Sequence, residues 1–396
     1  AKVFGEIMER LRQPALLGEI LAGILLGPSV LNIMVRSDEI KVISELGVFL
    51  LVIIAGLEIN IQEMVKSQKG KNIVISILAF ILPATSGFFV GNLFGLPTVT
   101  CFFIGLCVAI TALPVSVRIL MDLGRLKSEV GQRMISVAIF DDVLALTLLG
   151  VLLDLHNMEG ASYQAIGLQV GLTLGKVVLL IIGLVLAYRA VNFLTQQENF
   201  VEHQLDKLLH LMRGKEPLLA ILFAFILIFA SLTEGAGLHF IIGAFFASLL
   251  LSKELIGPKN MASFEKTTHG MAMGFLAPIF FAGVGLEFQI GAIQHWGLLV
   301  AVITASFASK LLGGYVGARY AGLRHRKALT LGIGLNARGI MELVIANIGY
   351  REGLINVEVF SILVIMALFA TFNTPLLLKG SFRWLDRLEA KENRLG

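Results

Sequence analysis

The chain has 396 residues, of which 56% are hydrophobic and only 15% charged, and its formal net charge is +4. A soluble domain carries about 25% charged residues, so this chain has too few polar groups to cover a water-facing surface, and its solvent must be lipid. The small positive charge is no nucleic-acid signal, because Lys and Arg sit between apolar runs and form no basic patch interleaved with aromatics.

Apolar runs of roughly 17–25 residues mark membrane-spanning helices. In chain order they predict thirteen helices, at 1–12, 14–35, 40–59, 72–94, 98–121, 130–153, 164–194, 216–232, 238–252, 270–288, 291–320, 328–349 and 357–379. The opening stretch AKVFGEIMERLRQP reads as the last turns of a helix, so the first span is expected to lack its beginning. Only 195–215 and 253–269 read as long polar connections. Cys101 and Cys107, in one apolar run, offer neither metal-ligand spacing nor a disulfide framework.

Loop charge gives orientation, because the Lys/Arg-rich side is cytoplasmic. Arg10, Lys66, Lys69, Arg125, Lys127, Lys207, Arg213, Lys259, Arg324, Arg326, Arg383 and Arg387 fall on one side, with little beyond Arg36 and Arg351 on the other. The N-terminus is therefore expected outside and the C-terminus inside. An internal repeat is visible in LGEILAGILLG (17–27) against LHFIIGAFFAS (238–248), each followed by a helix that ends Gly-Leu-Glu (56–58 and 285–287). An odd helix separation makes such a repeat inverted, which is the signature of secondary transporters.

Asp141 and Asp142 lie half way along the 130–153 helix. A charged residue at that depth costs on the order of 3 kcal/mol and faces protein or a water cavity. Consecutive helical residues point about 100° apart, so the two cannot do the same job. Lys310 supplies a counter-charge in the middle of 291–320. A site balanced between burial and an opposite charge can release a proton when a cation arrives. Pro114 interrupts the 98–121 span, where Thr111 and Ser116 offer hydroxyls, and freed carbonyls are hard ligands for a small cation. Gly334, Asn336, Arg338 and Gly339 mark a matching interruption in 328–349. Arg338 and Glu342, four apart on one helix face, read chiefly as a structural pair, while Glu19, Glu58 and Glu287 read as snorkelling residues near helix ends.

QPALLGEILAGILLGP (13–28), GVFLLVIIAGLEI (47–59), AITALPVSVRIL (109–120), AIFDDV (138–143), SKLLGGY (309–315) and NARGIMELVIA (336–346) together resemble the monovalent cation:proton antiporters, in the branch of NapA-type sodium/proton antiporters and Kef-type potassium efflux systems. The resemblance implies an all-α polytopic fold of two inverted six-helix repeats with two crossing broken helices. It implies Asp142 as carrier of Na⁺ or H⁺ and Asp141 as the partner that releases Lys310 when the cation binds. An Asp-Asp site with a lysine is similar to the electrogenic members. It further implies a homodimer in an inner membrane, with segments 1–60 and 216–290 forming the dimerisation domain. Segments 61–155 and 291–396 form the ion-transport core, which moves as an elevator, and 156–215 holds a linker helix and cytoplasmic loop. No cofactor is expected beyond the transported Na⁺, Li⁺ or K⁺ and H⁺.

Kef-type relatives carry a cytosolic regulatory domain that is expected to be absent from this chain, and the family's Arg-Gly-Glu reads Arg338-Gly339-Ile340 here. Na⁺/H⁺ exchange is the leading expectation and K⁺/H⁺ exchange the alternative. An organic-anion or cation symporter of related fold is more remote. An intramembrane aspartyl protease would need its aspartates on two helices, and a channel would need repeated filter elements.

Overall fold

The computed structural model describes residues 1–11, 13–34, 37–58, 72–156, 172, 175, 217–236, 239–251 and 256–392. Among these residues every regular element is helical. In chain order they are α1 (Lys2–Arg10), α2 (Ala15–Leu26), α3 (Asp38–Glu58), α4 (Asn72–Leu93), α5 (Thr98–Ala109), α6 (Leu113–Asp122), α7 (Glu129–His156), α8 (Pro217–Gly235), α9 (Phe240–Leu250), α10 (Pro258–Met271), α11 (Ala277–Glu287), α12 (Trp296–Tyr320), α13 (His325–Gly334), α14 (Ile340–Arg351) and α15 (Val357–Glu392). Among the described residues eight helical segments are long and apolar enough to cross a membrane, with α5–α6 and α10–α11 each counted as one. Large apolar side chains such as Phe89 (66% exposed) and Leu232 (67%) point outward, as lipid allows and water does not.

The expected all-α polytopic class holds. The predicted 164–194 helix lies outside the described residues except for two positions, and the 195–215 connection lies wholly outside them. The largest departures from the expected boundaries are three. α2 ends at Leu26 rather than near 35, because Gly27 is extended and Pro28 cannot continue a helix. The polar stretch before 270 is helical from Pro258, started by Gly257 at φ 82° and joined to α11 through a π turn at Ala272–Leu276. The last helix runs on to Glu392. Arg125 pairs with its Asp386 at 2.5 Å and stacks on its Phe382, while Arg326 covers its Trp384.

Contacts divide the chain into two compact units. One takes Ala1–Asp38, Gln62–Leu152 and Phe281–Gly396, and the other Glu39–Ile61 and Leu153–Phe280. In the second unit Ile53, Ile226, Ala244 and Phe264 are buried in one apolar core.

The internal repeat is reciprocal. Gly56 of the first Gly-Leu-Glu packs on the Phe245 carbonyl and Ser248 of α9, where a Cβ would fall 2.7 Å from that oxygen. Gly285 of the second packs on Ile20 and Gly23 of α2, where a Cβ would fall 2.3 Å from the Ile20 carbonyl oxygen. Each half thus repeats a short helix, two long ones, a broken one and a final long one.

In the first unit α12 lies against α4. A Cβ on Gly313 would sit 2.5 Å from the Leu78 carbonyl oxygen, and one on Gly317 2.7 Å from Ile75 Cα. This close approach is the small-residue packing that membrane helices favour. It brings the Lys310 side chain, one turn before Gly313, within reach of the α4 backbone. Gly313→Val should destabilise the protein by about 1–3 kcal/mol through overpacking, read as a lower unfolding temperature in detergent. An unchanged unfolding temperature would show that the contact is not tight.

Candidate functional site

α5 stops at Ala109 and α6 starts at Leu113, with Ile110 and Ala112 extended between them. Pro114 falls in the first turn of α6, where a missing N–H is tolerated, so it starts a second half-helix and does not kink a continuous one. α13 stops at Gly334 and α14 starts at Ile340, with Gly339 extended at φ 175°. The two breaks cross. The Ala112 N–H donates to the Ala337 carbonyl at 2.8 Å, and a Cβ on Gly339 would meet Val115 Cγ2 at 2.8 Å and Ala112 Cβ at 3.0 Å.

Breaking a helix strands backbone carbonyls, and in a lipid-enclosed core each must find a donor. Around the second break, side chains supply them. The Thr111 hydroxyl donates to Leu335 O at 3.1 Å, Asn336 Nδ2 to Gly332 O at 3.0 Å, Thr374 Oγ1 to Asn336 O at 3.0 Å and Thr371 Oγ1 to Arg338 O at 3.1 Å.

At the first break the donors are two buried cations. Arg338, wholly buried, donates from Nη1 to Cys107 O at 2.9 Å and to Ile110 O, and from Nη2 to Val108 O at 2.5 Å and Ser306 Oγ at 2.7 Å. Lys310 Nζ donates to Asp141 Oδ2 at 2.7 Å, to Ala79 O at 2.9 Å and to Ala109 O. Both positive charges therefore sit at the C-terminal end of α5, where the helix dipole presents its negative pole.

Three buried carboxylates bear on the site: Asp141 and Glu342 beside the two cations, and Asp142 next to Asp141 in sequence. Asp141 is wholly buried on α7, ion-paired to Lys310. Asp142, 1% exposed, is turned about 100° round the same helix. Glu342 stands in the first turn of α14, 1% exposed, with Arg338 Nε 3.7 Å away. Among the described residues Lys310 is ion-paired to Asp141, and Arg338 stands nearest Glu342. A carboxylate at Asp142 can take up one further positive charge, a proton or a metal cation, which lowers the cost of burying it. Ser116, on α6, is wholly buried and its hydroxyl makes no hydrogen bond among the described residues; the Asn336 side-chain oxygen makes none either. These oxygens are of the hard type that suits an alkali cation.

The structure therefore gathers Asp141, Lys310, Thr111, Asn336, Arg338, Gly339 and Glu342 round the crossing, with Pro114 and Ser116 on the half-helix that leaves it. Ser306, Thr371 and Thr374 belong to the same network and were not singled out from sequence. Their signal is spacing: Ser306 precedes Lys310 by one helical turn, and Thr371 and Thr374 share one face of an apolar helix. Glu19, read as a snorkelling residue, is instead 3% exposed, with Lys2 Nζ at 3.9 Å.

Two crossed, interrupted helices around buried acids and a tied lysine define a secondary transporter. The sequence profile of the transmembrane sodium/hydrogen exchangers matches residues 1–384, and the chain belongs to that family. The Na⁺/H⁺ antiporter NhaS4 of Synechocystis is 30% identical over 405 residues, covering 96% of this chain and 94% of that protein. The Na⁺/H⁺-K⁺ antiporter GerN of Bacillus cereus is 28% identical over 98% of this chain and 94% of its own. The sodium proton antiporter MjNhaP1 of Methanocaldococcus jannaschii shares the fold, with a TM-score of 0.68 at 17% identity over 96% of this chain and 93% of that one.

Arg338→Ala removes the donor to three carbonyls of α5 and should cost about 3–5 kcal/mol, measured as loss of folded protein and a lower unfolding temperature. Arg338→Lys should recover only part, since one ammonium cannot span the positions held by the guanidinium fork. Full recovery by lysine would contradict the capping role.

Proposed function

We propose that this protein exchanges Na⁺ (or Li⁺) for H⁺ across a membrane, with Asp142 as the shared carrier. The observation that carries the reading is the buried Asp142 carboxyl next in sequence to the ion-paired Asp141 on α7. A carboxyl at Asp142 holds a proton or, once ionised, a cation, not both at once. That exclusion is an exchange rule. The Asp141–Lys310 pair keeps the second acid charged and out of competition. The names of NhaS4 and GerN agree with this activity.

We further propose that the cycle is electrogenic, with more protons than cations moved per turn, because an Asp-Asp site with a lysine is similar to the electrogenic members; the proton beyond the one on Asp142 then needs another acid. The core segments 61–155 and 291–396 move as an elevator against dimerisation segments 1–60 and 216–290 of a homodimer in a cell membrane, with the N-terminus outside. K⁺/H⁺ exchange is the second reading, favoured by the K⁺ in GerN's name and by the same hard oxygen ligands, which serve either ion.

Proteoliposomes loaded with a pH-sensitive dye and given an imposed pH gradient test the reading. Na⁺ and Li⁺ should dissipate the gradient, and K⁺ should do so more weakly. Because proton and cation compete, the half-saturating Na⁺ concentration should fall by up to about tenfold per carrier proton as pH rises by one unit. No response to any of the three ions, or a half-saturating concentration independent of pH, would overturn it.

A further inference from the structure

We propose that Glu342 carries the second proton of the exchange cycle, loading when Asp142 loads and discharging when the cation binds. The proposal rests on the exchange reading above and names a second acid for it.

The contrast between the two buried acid–base pairs motivates the assignment. Lys310 is held by three acceptors: Asp141 Oδ2 at 2.7 Å, Ala79 O at 2.9 Å and Ala109 O. Asp141 thus has a direct, charge-assisted bond to a cation fixed in place, and this pair stays charged. Glu342 has no such bond. Neither of its carboxylate oxygens accepts a hydrogen bond among the described residues, although the side chain is 1% exposed. Its one ion-pair partner, Arg338 Nε, is 3.7 Å away, beyond hydrogen-bond range.

Arg338 does not depend on Glu342. Its four terminal hydrogen bonds go to Cys107 O, Val108 O, Ile110 O and Ser306 Oγ, so the negative end of α5 keeps it compensated when Glu342 is neutral. Among the described residues the cations beside Glu342 are Arg338, in the turn before it, and Lys310. Arg338 and Lys310 keep their charge through their other bonds, which leaves Glu342 as the group free to change state.

The charge balance follows. In the cation-loaded core, Asp142⁻ holds Na⁺, Asp141⁻ faces Lys310⁺ and Glu342⁻ faces Arg338⁺, with net charge zero. In the proton-loaded core, Asp142 and Glu342 each hold one proton and the net charge is +1. Two protons then move against one Na⁺, and one charge crosses per turn.

Stoichiometry reads this directly. With the membrane potential clamped at zero, a one-unit pH gradient should be balanced by about a hundredfold Na⁺ gradient in the wild type and by about a tenfold gradient in Glu342→Gln. Glu342→Asp, which keeps a carboxyl, should stay near the wild-type value. A wild-type balance at tenfold, or a Glu342→Gln balance still at a hundredfold, overturns the proposal. If the wild type shows no Na⁺-dependent exchange at all, the exchange reading itself fails. If Glu342→Gln does not insert, Na⁺-triggered proton release from the wild type in detergent decides: about two protons per Na⁺ support the proposal and one overturns it.

Discussion

The arrangement depends on the satisfaction of one broken helix end. α5 stops in the middle of an apolar span, and its last carbonyls would be stranded in a medium with no water. Lys310 reaches them from α12 and Arg338 from the second break. Their charges are tolerable there because the helix dipole and the carbonyls already present negative potential. Once two cations are fixed, buried carboxylates become tolerable too, and Asp141 and Glu342 stand beside them, with Asp142 buried next to Asp141 on α7. The exchange chemistry grows out of a structural repair.

The packing serves that geometry. Lys310 reaches the Ala79 carbonyl because Gly313 and Gly317 let α12 lie directly on α4. The second break is held open by hydroxyls and by the Asn336 side chain, each taking a carbonyl that a continuous helix would have used. The crossing itself is fixed by one backbone bond, from Ala112 to Ala337. Side chains that look incidental in the sequence, such as Thr371 and Thr374, are therefore the donors that make an interrupted helix affordable in lipid.

Much of this was legible in the sequence because lipid makes polar residues conspicuous. Asp141, Asp142, Lys310 and Arg338 stand out in apolar runs, and Pro114 and Gly339 mark the two breaks. What stayed hidden were partners that are backbone atoms. Nothing in residue identity says that Arg338 would cap Cys107, Val108 and Ile110 and leave Glu342 at 3.7 Å. The pairing of Arg338 with Glu342 was legible from spacing, but its looseness was not. Helix ends outside the apolar spans were also hidden. α15 runs on to Glu392 and α10 starts at Pro258 through polar sequence, where the apolar pattern is silent and tertiary contacts such as Arg125–Asp386 decide.

The most direct measurement of the central claim is cation-driven proton flux by Asp142→Asn, purified as a monodisperse protein and reconstituted beside the wild type. Asparagine keeps the shape and removes the site for which proton and cation compete. The account predicts that Na⁺ and Li⁺ no longer dissipate an imposed pH gradient above the rate of empty liposomes. Exchange at the wild-type rate would contradict it.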